Sequence, residues 1–81
     1  SLTEQVARGV VRLRGLDLAK PPGVAEAISW AAALHVLGAA ELDGQAAEQT
    51  AGAVLKYAED LQAARQAGFA ALVSDQGLDG S

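Results

Sequence analysis

Few side chains in this sequence could do chemistry, and their spacing argues against most reactions. His35 is the single histidine and cysteine is absent, so neither a disulfide nor a thiolate or multi-histidine metal site can be assembled. Ser29, Thr50 and Ser74 have no base at a triad-like sequence spacing. A phosphate cradle of the form G-x-x-x-x-G-K-[ST] does not occur. Glu59 and Asp60 are neighbours, so on a helix they point to different sides and read as a solvated surface pair rather than an acid and base. His35 sits in an apolar stretch and reads as a packed or rim histidine, Trp30 as a core or domain-interface residue, and Tyr57 as a packed ring with its hydroxyl at the rim. What remains is charge. Residues 1–20 carry Arg8, Arg12, Arg14 and Lys20 against Glu4 and Asp17, whereas the rest carries Lys56 and Arg65 against eight acids. A basic first quarter could face phosphate or an acidic partner, and the plainer account is a solvated helix face.

The balance of the whole chain narrows the classes further. It has 81 residues and a net charge of −4, which suits one small domain and argues against nucleic-acid binding. The longest uncharged stretch, residues 27–40, is shorter than the roughly 20 apolar residues a membrane helix needs. About half the residues are apolar, but 19 are alanines. Burial stabilises by about 25 cal/mol per Å², so an Ala-rich core is thin and the domain is expected to be modestly stable without a neighbour. The chain opens on Ser1 and contains no Met, which is expected of a piece of a longer protein. High Ala and Gly usage fits a GC-rich bacterium. An acyl carrier protein is also small, acidic and helical, but it needs Asp-Ser-Leu at a helix start. Here Ser74-Asp75 reverses that order near the end.

The elements that must position these residues are helices. Ala, Leu, Gln, Glu and Arg dominate, and no segment alternates with period two. Ser1 and Glu4 fit a capping box, and Val6, Val10 and Leu13 recur on one face of a first helix over 2–14 that Gly15 ends. Residues 16–22 form a connector in which Leu16 and Leu18 tuck inward around Asp17 and two prolines disfavour helix before them. A second helix runs over 23–37 to a stop at Gly38; Val24, Ala27, Ile28, Ala31 and Leu34 line one face, with Trp30 and Leu37 widening it. A helix so apolar is expected at the centre of a bundle. Asp43 caps a third helix that Ala47, Thr50, Ala51, Val54 and Leu55 carry to about residue 55. Gly52 within it is a candidate for a close helix crossing. A fourth helix spans 56–67, separate from or continuous with the third, and ends at Gly68; residues 69–73 add a short turn. The expected architecture is all-α, a small four-helix bundle over 1–74 with a flexible tail at 75–81.

One run is distinctive. Residues 16–31 read L-D-L-A-K-P-P-G-V-A-E-A-I-S-W-A. This is similar to the C-terminal lid of MoxR-type AAA+ ATPases, where an L-D-L-x-K-x-P-x-V-x-E-x-[LI]-x-W-A run opens the second lid helix. Leu42-Asp43 and Val54-Leu55-Lys56-Tyr57 also resemble that lid, and the likeness covers most of residues 6–67. The wording is closest to members encoded beside von Willebrand factor A proteins, such as those of carbon monoxide dehydrogenase maturation.

The resemblance implies a division of labour. An α/β ATPase domain earlier in the same chain would hold ATP and magnesium and hydrolyse the nucleotide. The lid would close over the adenine side, pack on neighbouring subunits of a cytoplasmic ring, and serve chaperone-like remodelling or metalloenzyme maturation with a von Willebrand factor A partner. By this resemblance Lys20, Pro21, Pro22, Gly23 and Val24 form the nucleotide-facing edge, through backbone and apolar contacts, and Arg12 and Arg14 are the cations that could approach phosphate or an interface. Many such lids place a sensor arginine where this sequence has Pro22, Gly23 and Val24, so no catalytic residue is expected here. Glu26 is expected to cap amides in the first turn of its helix. On the plainer account, Pro21-Pro22 only sets the entry angle of the second helix and Lys20 is solvated. The rival function is a free-standing helical module that binds a partner helix in an Ala-rich groove. An isolated lid is expected to be monomeric and almost without ATP affinity.

Overall fold

The computed structural model describes residues 1–74, so the tail expected at 75–81 lies outside the described residues. Local sequence signals set most helix boundaries. Ser1 starts α1 (Leu2–Arg14): its Oγ accepts the Glu4 amide at 3.4 Å, while Glu4 Oε1 receives the Ser1 nitrogen at 3.2 Å. Glu26 heads α2 (Val24–Leu37), which ends at Gly38 in the left-handed region at φ 82°, a conformation that favours glycine. Asp43 caps α3 (Gly44–Thr50) by accepting the Ala46 amide at 2.8 Å. A 3-10 turn, Ala51–Ala53, follows. Then come α4 (Ala58–Ala67) and α5 (Phe69–Leu72), separated by Gly68 at φ 95°. The described residues contain no strand, and the protein is an all-α bundle with four helices of seven or more residues.

The core forms where α1, α2, α3 and α5 converge. Val6, Val10 and Leu13 of α1 face Trp30 and Leu34 of α2, with Ala46 and Ala47 of α3 and Phe69 and Leu72 at α5 completing the layer. Trp30 is 0% exposed, and its Nε1 donates to Thr50 Oγ1 at 2.8 Å. The threonine hydroxyl donates onward to the Ala46 carbonyl at 2.7 Å, so this polar chain in the core is satisfied at each link.

Three expectations are corrected. The third helix does not reach residue 55, and the fourth begins at Ala58, not 56. The spacing of Ala47, Ala51, Val54 and Leu55 suits a helix, and all four are buried, but Thr50 bends the chain. Its hydroxyl bonds back to the carbonyl four residues earlier, which weakens a helix, and its ψ of 4° has left the helical range. The helix tightens into the 3-10 turn, and the chain then runs non-helical to Tyr57. Second, α2 is not central. Trp30 and Leu34 are buried, but Val24 is 78% and Ile28 66% exposed, because a chain this short supplies neighbours on one side of the helix only. Third, Gly52 marks no crossing: a Cβ there would meet nothing within 4 Å. The close approaches are at Gly9, where a Cβ would stand 3.1 Å from the Trp30 ring, and at Gly44, 3.1 Å from Cα of Ala70.

Candidate functional site

The connector between α1 and α2 is held by hydrogen bonds rather than by regular structure. Leu18 is buried, Leu16 half-buried and Asp17 exposed, as the alternation of apolar and acidic residues dictates. The Leu18 amide donates to the Leu16 carbonyl at 3.0 Å. The next two amides, Ala19 and Lys20, donate to the two oxygens of one carboxylate, Asp60 Oδ1 at 2.7 Å and Oδ2 at 2.9 Å. Pro21 and Pro22 have no N–H to place, and Pro22 is buried. The Gly23 amide donates to Glu26 Oε1 at 2.8 Å. Every N–H from Leu18 to Gly23 is therefore accounted for within the chain.

Asp60 corrects the surface reading of the acidic pair. Glu59 is exposed, but Asp60, one residue further into the first turn of α4, is 2% exposed. A buried carboxylate is costly unless charge-assisted hydrogen bonds hold it, and the two connector amides supply them. Glu26 plays the capping role expected of it. Its carboxyl is held below the ordinary carboxylate value, first by the Gly23 N–H and then by its own backbone amide; desolvation opposes them, and Lys20 and Lys56 add a weaker electrostatic pull.

Beside this edge lies an open apolar groove of about 350 Å³ between α1 and α2. Val6, Ala7 and Val10 form one wall and Val24, Ala27, Ile28 and Ala31 the other, with Thr3 and Gly23 also lining it and Arg14 as its only charged residue. Gly23 and Val24 belong to both the edge and the groove. The two arginines expected near phosphate part company. Arg14 is exposed at the groove, whereas half-buried Arg12 turns inward and donates Nη1 to the carbonyls of Leu72, at 3.0 Å, and Ser74. Arg12 closes the end of α5 and is removed from the set of cations facing outward.

No protein-family model, curated protein or solved structure matches the chain. The site therefore rests on its own geometry. The structure brings Lys20, Pro21, Pro22, Gly23 and Val24 together on one continuous turn, as the sequence order requires. It adds Asp60, which no local pattern pairs with residues 19–26. His35 is exposed, and Tyr57 is half-exposed at the start of α4. The described residues hold no cluster of three or more His, Cys, Asp or Glu able to bind a metal, and no helix among them is long and apolar enough to cross a membrane. Such an arrangement can present the Lys20 ammonium group and an apolar face. It contains no nucleophile paired with a base.

Proposed function

We propose that this chain is the helical lid of a MoxR-type AAA+ ATPase. It would close over the nucleotide held by an α/β domain of the same protein and couple ATP hydrolysis to the conformation of a cytoplasmic ring. The observation that carries the reading is the continuity of the 20–24 edge with the open groove through Gly23 and Val24. A lid needs both features in one surface: an edge for the nucleotide and an uncovered apolar seat for a neighbouring domain. The resemblance of residues 16–31 supplies the identity of that neighbour, and with it the ring neighbours, the von Willebrand factor A partner and the role in remodelling or metalloenzyme maturation.

The residues present fit ATP in a limited way. The Ala19, Lys20 and Gly23 amides are already taken by Asp60 and Glu26, which leaves the Val24 N–H at the start of α2 as the amide of this edge open to phosphate. Lys20 would meet negative charge, and Val24 would supply the backbone and apolar contact. Magnesium and the attacking water belong to the α/β domain. Closure, water exclusion and transmission of nucleotide state fall to the lid.

The reading frame that encodes the chain tests this directly. A P-loop followed by an acidic metal-binding strand upstream of residue 2 is the expected result, and a frame without either sinks the lid. In the parent protein, Lys20→Ala should lower the ATPase rate, and an unchanged rate would take the lysine off the edge. The groove also favours a second reading, a free-standing module that seats a partner helix. Concentration-dependent self-association of the isolated chain would favour that module, since a lid alone should stay monomeric and show almost no ATP affinity.

A further inference from the structure

The connector is short of regular structure, yet its direction decides where Lys20, Gly23 and Val24 lie. Leu18 is buried and anchors one end; Glu26 caps the other. Between them Pro22 is buried, while the exposed Ala19 and Lys20 would leave their backbone loose if nothing held those amides. One residue from the far end of the sequence does so, with both oxygens of its carboxylate and from a site almost sealed from water. We infer that Asp60 is the positioning residue of the 20–24 edge, a two-point latch by which α4 sets the placement of Lys20 and of the α2 start. That this edge faces nucleotide rests on the lid reading; the latch itself does not.

The geometry gives the latch a mechanical sense. Asp60 sits in the first turn of α4, so a shift of that helix moves both acceptors together and carries the connector with it. On its opposite flank α4 is joined to α3 by Arg65, whose Nη2 lies 2.9 Å from Glu48 Oε2. That pair is half-exposed and weak, whereas the Asp60 bonds are buried and charge-assisted. The connector is therefore coupled to α4 more firmly than α4 is tied through that ion pair to α3. Ala64 seats the same helix in the core, so a shift of α4 links the bundle to the edge through Asp60.

The test uses the 81-residue chain, Asp60→Asn, and two nuclear magnetic resonance readouts. Asparagine keeps the shape but has one acceptor oxygen, so protection of the Ala19 and Lys20 amides against exchange should fall about tenfold or more, while Leu34 and Ala47 in the core keep theirs. The second readout is the titration of Glu26, which faces Lys20, Lys56, its own amide and the Gly23 N–H. Removing the Asp60 charge would by itself lower the Glu26 pKa. Loosening Lys20 from beside Glu26 would raise it toward the ordinary carboxylate value, and a positioning role predicts the rise. A fall in that pKa, or protection lost evenly across the core, overturns the proposal and leaves Asp60 as general support. Should the Asn variant not fold, the unaltered chain and Lys20→Gln decide the matter. Both must protect the two amides, and Lys20→Gln must raise the Glu26 pKa without touching that protection. Amides exchanging as in an unstructured peptide overturn the latch. A parent frame without an ATPase domain would remove nucleotide from the edge and leave all these results standing.

Discussion

Single side chains in this protein matter mostly through backbone groups they satisfy. Thr50 is the acceptor for the Trp30 indole N–H in a site that water does not reach. Thr50→Val keeps the volume and removes the partner, so urea unfolding should show a loss of about 1–3 kcal/mol, the cost of an orphaned buried donor. Glu26 gives a pH signature. Its folded pKa lies below the ordinary value of 4.5, so the unfolded chain binds the proton more readily. The stabilisation is fully present above the ordinary carboxylate range and is lost as pH falls through the folded value. Glu26→Gln should flatten that part of the acid limb of the stability curve, and an unaltered limb would show that the cap does not act. At this scale the sequence was legible wherever partners are close in the chain. Ser1 with Glu4, Gly23 with Glu26 and Asp43 with Ala46 are three residues apart, and their types announce the bond. Asp60 reaches back 41 residues to Ala19, and nothing near position 60 distinguishes it from its exposed neighbour Glu59.

Among the elements, close approach is governed by two glycines, and the sequence pointed to a different one. Gly9→Ala would push a methyl to 3.1 Å from the rigid, enclosed Trp30 ring. It should cost about 1–3 kcal/mol by overcrowding. Gly52→Ala meets open space in the 3-10 turn and should be neutral or stabilise by about 0.4–1 kcal/mol through the unfolded chain. Thermal unfolding of the pair checks both, and equal effects would contradict the packing described. The misreading has a physical source. Gly52 lies in a stretch whose apolar spacing is helical, so a helix interior looked disturbed there. The real break comes two residues earlier, where Thr50 turns its hydroxyl into the core. Helix starts and stops that depend on capping chemistry were readable; a bend that depends on a tryptophan twenty residues away was not.

For the whole molecule, the telling quantity is what one chain can cover. An Ala-rich bundle buries one face of α2 and leaves Val24 and Ile28 in solvent. The sequence showed an apolar helix and implied a central one; in the structure the described residues leave its outer face uncovered. Ile28→Glu should therefore leave the unfolding free energy of the isolated chain within about 0.5 kcal/mol, as surface changes do, while weakening whatever docks in the groove. Measured together, unfolding and association with the proposed α/β domain separate the two effects, and a large loss of stability would mean that the groove is core after all.

Arg12 has a consequence for synthesis. It joins a helix at the front of the chain to carbonyls 60 and 62 residues later, and Val73 lies near Gly9 on the same seam. During translation the first helix can emerge and cap itself, but its inner face and its arginine wait for the last turn to clear the ribosome. Closure is thus all-or-none and late, with a long loop to be shut before the seam pays back its entropy. Nascent chains halted before residue 69 should remain open to protease, and those extended beyond residue 74 should become resistant in one step.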